Sequence, residues 1–459
     1  MILLFAAATV LGAPAIRHGG TQVQTTSEFS LLFPQPSGRN GLEEYVRAGD
    51  LLKDPSFGVY QSWLPPSIRP SPEVVRQAED ARRKMLESMT PEERRAAESG
   101  SNHRSIEEQQ LAQRLNGLNY YQLKLEEVQR FQDALDLISR GNAKPFEYVS
   151  VPSHDAAGEN FVAARAVRQV AKFASDAAFV AFASGDSGRG TEILSQALFM
   201  AHRLGSGDII ARLSSIGSMS VSLARFSEHL GAISLPDSKR IVTLASSLLD
   251  DRSSSIAMVR NERLRLASAL DEGLKNGLLE KSAGTQNVGL VQQYQALSQT
   301  QKDAWFNRIH QLVDDQFDAL SQRFDSPEEN WLVSKEPTSS SSDPKTLEEL
   351  AASFSRLFSA GIDHDLMLAI VRNRAQVRLL RLHARIIEFR WESGRLPMSL
   401  DELKIAREEI YDPLGRRPFE YAVTGATYKL ASVGNSETGE VQLRYRAPKN
   451  ATNSDADRP

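Results

Sequence analysis

The residue types that most often carry chemistry are thinly spread along this chain. Its eight histidines are His18, His103, His154, His202, His229, His310, His364 and His383. None falls in a His-Glu-x-x-His frame or any other spacing that would set two imidazoles on one zinc ion. His202 and His229 fall on amphipathic helical stretches, where a satisfied core role is expected. The glycine-rich residues 185–190 (Gly-Asp-Ser-Gly-Arg-Gly) superficially suggest a phosphate loop. They lack the Gly-Lys-Ser/Thr ending and the preceding strand that a nucleotide fold requires, so a helix–helix turn is expected. No Gly-x-Ser-x-Gly elbow occurs. Adjacent carboxylates such as Glu92/Glu93 and Asp314/Asp315 belong to charged helix faces, and nothing sets them across a cleft as paired acid and base. One array remains. Arg374, Arg378, Arg381 and Arg385 recur three or four residues apart and share a helix face. Guanidinium forks in a row offer bidentate donors to an acidic protein partner or a phosphate group.

Composition narrows the classes further. The chain has 459 residues, 41% hydrophobic and 24% charged, long enough to bury a sizeable core in two or three domains. It contains no cysteine, which excludes thiol proteases, thiolate zinc sites, cysteine-ligated iron–sulfur clusters and disulfide frameworks. With a net charge of −4 it presents no overall basic field, and the arginine array lacks interleaved aromatics, so no nucleic acid is expected. No cofactor is expected either. Residues 1–16 (MILLFAAATVLGAPAI) are apolar and rich in small side chains, too short for a bilayer span and of the length of a signal-peptide core. No basic residue precedes the run, and the best cleavage site, after Ala13, places Pro14 beside the cut.

The elements that would position these residues are mostly helical. Residues 17–70 are rich in Gly, Pro and Ser with little periodicity, although Phe29, Leu31, Leu32, Phe33 and Tyr60 are expected to dock on a core. Ser71-Pro72-Glu73 and Thr90-Pro91-Glu92-Glu93 are helix-start signals. Apolar residues at helical spacing run through 106–138, 161–182 and 191–204, and further helices reach about residue 274. The Ala-rich hairpin around 185–190 resembles a tetratricopeptide-type helical pair, without the repetition of a true array. Residues 286–333 are helical again, with Trp305, Phe306, Ile309, Leu312, Phe317, Leu320 and Phe324 in step. Residues 335–345 (KEPTSSSSDPK) are a linker by composition. Thr346-Leu347-Glu348-Glu349 is a capping box.

The C-terminal region has its own grammar. Residues 363–392 predict one long helix with the four arginines on one side, stopped by Gly394. Ser399-Leu400-Asp401-Glu402 reads as a capping box, and Asp412-Pro413-Leu414-Gly415 as a type I turn. Alternating Phe419/Tyr421/Val423, Tyr428/Leu430 and Val441/Leu443/Tyr445 predict a three-stranded antiparallel meander packed on the helix. The order G-R-x-P-x-S-L-x-x-L, D-P-x-G-x-x-P-x-x-Y, Y-x-L-x-S-x-G resembles the headpiece of a type II secretion major pseudopilin, over residues 363–447. The same module resembles the tail of bacterial proteins that carry helices upstream. A pseudopilin starts with its apolar membrane helix, whereas this helix is internal and arginine-bearing, a heavy cost in a bilayer, so a pilus-shaft role is not implied. The pseudopilin calcium loop corresponds to residues 434–440, which contain no Asp.

The expected fold class is mainly α: an irregular, solenoid-like helical body with a small C-terminal α+β module. The expected parts are a signal-peptide-like or clipped-anchor segment (1–16), an irregular docking segment (17–70), the helical body (71–334), a Ser/Pro linker (335–345), the long helix with its β-module (346–447) and a disordered tail (448–459). The expected function is a non-enzymatic, exported scaffold or interaction protein of the bacterial cell envelope with a protein partner, its N-terminal segment offering membrane contact. The alternatives are a component associated with a type II secretion or pilus-like system, and a hydrolase whose site is dispersed over several helices.

Overall fold

A computed structural model describes residues 33, 36–62, 76, 80, 106–115, 117–148, 156–275, 288–332, 346–352, 362–434 and 441–443. The expected N-terminal apolar run, the starts at Ser71 and Thr90, the linker at 335–345, loop residues 435–440 and the tail at 448–459 lie outside them. The chain is mainly α with a small antiparallel β-module at its C-terminal end.

The first helices are α1 (Gly41–Leu51), α2 (Pro55–Ser62), α3 (Ile106–Leu115), α4 (Tyr120–Arg130) and α5 (Gln132–Asn142). The single apolar rhythm of 106–138 is thus three helices, broken near Gly117 and at Phe131. An Asn119/Gln122 capping box starts the second. Residues 41–62, expected to be irregular, form two core helices. Gly41 and Gly49 are contact points, while Gly58 is exposed and meets nothing within 4 Å. A Cβ on Gly49 would stand 2.5 Å from Ala166 Cβ, and one on Gly41 2.5 Å from the Gly141 carbonyl oxygen. Only a bare backbone lets α1 lie this close to its neighbours, and that spacing hides the helix from a periodicity reading.

The centre of the body is α6 (Ala156–Ala183), against which α1, α4, α7 (Ser187–Leu204) and α8 (Ile209–His229) pack. Its buried alanines, among them Ala163, Ala166, Ala171, Ala174 and Ala178, allow the close approach. Residues 185–190 are the α6–α7 turn: Gly185 takes φ +88° and Asp186 caps α7 by accepting the Arg189 N–H. Inside the body, Lys124 Nζ lies 2.6 Å from Glu127 Oε2 and 2.7 Å from Asp176 Oδ2, which ties α4 to α6. Burial opposes its charge, but Asp176 and Glu127 together hold the ammonium above its ordinary pKa.

Beyond lie α9 (Leu235–Asp250), α10 (Ser253–Lys275), α11 (Val288–Gln295), α12 (Gln299–Asp325) and the long α13 (Ile362–Ser393). Thr346 and Glu349 exchange both bonds of the expected capping box. The α13 helix runs along α9 and α8, and its Val377, Leu380, Ala384 and Ile387 join a hydrophobic cluster that reaches back to α1 and forward to Leu443. Gly394 ends it at φ +72°.

Strand β1 (Tyr411–Asp412) pairs with β2 (Arg417–Pro418), and β3 (Glu420–Thr424), β4 (Thr427–Ser432) and β5 (Val441–Gln442) form the three-stranded antiparallel meander. Tyr428 and Leu430 of β4 are buried, as alternation requires. The hairpin bond of the Asp-Pro-Leu-Gly turn runs from the Arg416 N–H to the Asp412 carbonyl, with Arg416 at φ +52°. Within this module one expectation fails. Ser399 makes no side-chain cap, because Glu402 pairs with Arg395 at 2.8 Å and the segment closes as a 3-10 turn from Leu400 to Leu403.

His383 clasps the module to α13. Fully buried, it accepts at Nδ1 from the Tyr428 hydroxyl at 2.7 Å and donates from Nε2 to the Leu443 carbonyl at 2.7 Å. Burial pushes its pKa down to about 4 from the ordinary 6.5.

Two outcomes are expected. Gly49→Ala should lower unfolding stability by about 1–3 kcal/mol in urea denaturation, because the clash with Ala166 outweighs the roughly 1 kcal/mol gained in helix propensity. Between pH 6.5 and 4 the unfolded chain takes a proton that folded His383 refuses, so stability present at pH 7 is lost as pH falls. The loss should total roughly 3 kcal/mol at the foot of that window, and urea titrations at pH 7 and 4.5 should show the His383→Gln variant without this component.

Candidate functional site

The four α13 arginines were the sequence's best candidates for binding an acidic partner, and all four meet the chain's own groups. Arg378 grips Glu328 with two bonds, Nη1 to Oε1 at 3.2 Å and Nη2 to Oε2 at 2.8 Å. Arg374 Nε stands 3.1 Å from the same Oε2, its Nη2 donates to the Leu249 carbonyl at 2.8 Å, and its guanidinium lies over the Trp331 ring at 5.3 Å. Glu328 therefore neutralises two largely buried cations. Arg381 stands 3.4 Å from Glu409 and is buried. Burial pulls the pKa of both Arg374 and Arg381 below the ordinary arginine value, while Glu328 and Glu409 oppose that shift. Arg385 is the most exposed of the four, bonded through Nη1 to Glu388 Oε2 at 3.0 Å.

The histidines are scattered. His18, His103 and His154 lie outside the described residues. His229 stacks on Phe182 with ring centroids 4.2 Å apart, and His310 stands 3.2 Å from Asp271. Asp314, of the acidic pair, is taken by Arg263 at 2.7 Å. Among the described residues no three His, Asp or Glu side chains converge as a metal site would need.

The nearest approach to a hydrolase constellation is a polar corner where α7, α8, α9 and α10 meet. His202 Nε2 stands 2.9 Å from Asp251 Oδ2, and Ser253 Oγ donates to Asp251 Oδ1 at 2.5 Å. The carboxylate is the middle member. In a serine triad the imidazole must be central, bonded to both hydroxyl and carboxylate, so that it can take the nucleophile's proton. Here the hydroxyl proton is held by Asp251. Burial keeps His202 neutral by lowering its pKa, so it donates Nε2–H. Asp251 is held well below the usual carboxylate range by that bond and by the Ser253 hydroxyl. It also accepts the Ser254 N–H at the start of α10, acting as the anion that a helix N-terminus favours. Arg212, buried behind it, donates to the hydroxyls of Ser254 (3.1 Å) and Ser255 (3.3 Å). Burial pushes it down to about 10. A Cβ on Gly205 would stand 2.5 Å from Arg212 Nη1, so glycine makes room for the guanidinium. Sequence reading passed over Asp251 and Arg212 because neither sits in a motif; tertiary packing alone brings them beside His202.

A different arrangement lies between α9 and α13. A groove of about 430 Å³ opens there, with Val242, Phe389 and Leu403 supplying apolar surface. Lys239 stands on the α9 side, and Arg385, Glu388 and Glu392 on the α13 side. Glu388 is 7% exposed, and its Oε1 accepts no hydrogen bond among the described residues. The arginine pattern predicted only the Arg385 edge of this groove. Glu388 and Glu392 lie four residues apart on the same helix, and nothing local in the sequence signals α9 lying opposite them.

No protein-family model, curated protein or solved structure matches the chain.

Glu328→Gln should destabilise the protein by roughly 3 kcal/mol in urea unfolding, because it leaves two largely buried guanidiniums without a counter-charge. Glu348→Gln, which breaks an exposed pair with Arg308, should leave the midpoint unchanged.

Proposed function

We propose that this protein is a non-enzymatic scaffold of the bacterial cell envelope that presents its C-terminal module and the adjoining α9–α13 groove to a partner protein. The observation that carries the reading is the way charge is used inside the fold. The ion pairs of Glu328, Lys124 and Asp251 each join helix to helix, which fixes a surface rather than preparing a reacting group. The candidate hydrolase set supports the same reading, since its carboxylate sits where the imidazole would have to be.

The envelope location rests on the apolar character of residues 1–16 and on the resemblance of residues 363–447 to a pseudopilin headpiece. An α13 with Glu328-bound arginines has a body-packing role instead of a membrane one, and among the described residues no helix is long and apolar enough to cross a membrane. The module is then a display element. A link to a secretion machine remains fold-level analogy and forms no part of the proposal.

The test is fractionation of cells carrying the full chain with a C-terminal epitope. The protein should appear in the periplasmic or envelope fractions, and proximity labelling from the module should mark envelope proteins. A wholly cytosolic distribution overturns the location, and labelling no stronger than that of a free tag overturns the scaffold role.

A further inference from the structure

We propose that the α9–α13 groove seats an arginine side chain from a short apolar segment of the partner protein. The inference rests on the scaffold reading and names the chemistry of what that scaffold holds.

The argument starts from the unpaired groups. Glu388 carries a buried carboxylate with one oxygen on Arg385 and the other without a hydrogen bond among the described residues. A carboxylate oxygen is an acceptor only, so what satisfies it is a donor, and a cationic donor best. The terminal torsion of a glutamate is soft, so Oε1 turns toward the groove without backbone change. Glu392 lies one helical turn further on and is exposed, so two carboxylates border the same space. Arg385 Nε is a buried donor without a hydrogen bond, and Lys239 adds donors from the opposite side. A free amine would answer the carboxylates and leave these donors unmatched. A peptide answers both, with its guanidinium on Glu388 and Glu392 and its main-chain carbonyls on Arg385 Nε and Lys239.

The apolar surface points the same way. The stem of an arginine is aliphatic and its head stacks on aromatic faces. Phe389 already carries one guanidinium, that of Arg395, 5.2 Å from its ring. Beside the groove Trp391 is 62% exposed, with Nε1 3.5 Å from the Ile233 carbonyl just ahead of α9. An aromatic left open next to acidic groups suits a cation.

The experiment uses the full chain with carbon-13-labelled Val and Leu methyl groups. It is titrated with the capped peptide Ala-Leu-Arg-Leu-Ala, and with the same peptide carrying norleucine or glutamate in place of arginine. The arginine peptide should give saturable shifts at the Val242 and Leu403 methyls, weakened by added salt, and the other two should not. Glu392→Lys changes an exposed side chain and should keep the wild-type melting temperature while weakening binding at least tenfold. Glu388→Gln should weaken it similarly. Saturation by the norleucine or glutamate peptide, no saturation at millimolar arginine peptide, or unchanged binding by folded Glu392→Lys would each overturn the proposal. Failure here removes the groove's ligand and leaves the envelope scaffold standing; a cytosolic distribution does the reverse.

Discussion

A helix that bears arginines along one side can enter a protein interior only if carboxylates are brought to meet them. The rest of this structure depends on that condition being met at α13. Glu328 reaches it from the turn after α12, and Glu409 from the turn before the β-module. With the charges answered, the apolar side of α13 is free to lie on α9 and α8, and its far end can carry the sheet. Removing the desolvated pairing would leave bare guanidiniums in the core, a far larger penalty than any single apolar contact returns.

The two ends of α13 solve different problems with the same resources. Toward its start, guanidiniums are closed off by carboxylates and by the Trp331 ring. Toward its end, His383 is neutral and bonded on both nitrogens, and charge returns where the helix borders the groove at Arg385, Glu388 and Glu392. Burial therefore grades along one element, from complete pairing to partial pairing. The groove is where pairing stops being complete.

Much of the architecture was legible in the sequence. Apolar spacing and Gly394 gave α13 to within a residue or two of its limits, and alternation at Tyr421, Val423, Tyr428 and Leu430 gave the meander. The α6–α7 turn followed from a glycine run that lacked a phosphate loop's ending. What escaped was everything that depends on a neighbour distant in sequence. Residues 41–62 read as part of an irregular, Gly-rich segment because Gly41 and Gly49 serve to admit Gly141 and Ala166. The arginines read as an outward face because nothing local announces Glu328. Ser399 read as a cap because nothing local announces that Arg395 takes Glu402. Local pattern fixes elements; the identity of the face each one turns inward is a pairwise property.

The hydrophobic cluster that runs unbroken from α1 to Leu443 has a consequence for how this chain can be divided. Along α9, Ile241, Val242, Ala245, Leu248 and Leu249 are covered where α13 lies on that helix. A fragment ending ahead of α13 would carry that strip bare, an adhesive seam prone to self-association. A fragment beginning at α13 would carry its mate. The C-terminal module is thus a keystone rather than an appendage, and it is not a cassette that could be lifted onto another body without taking α9 along.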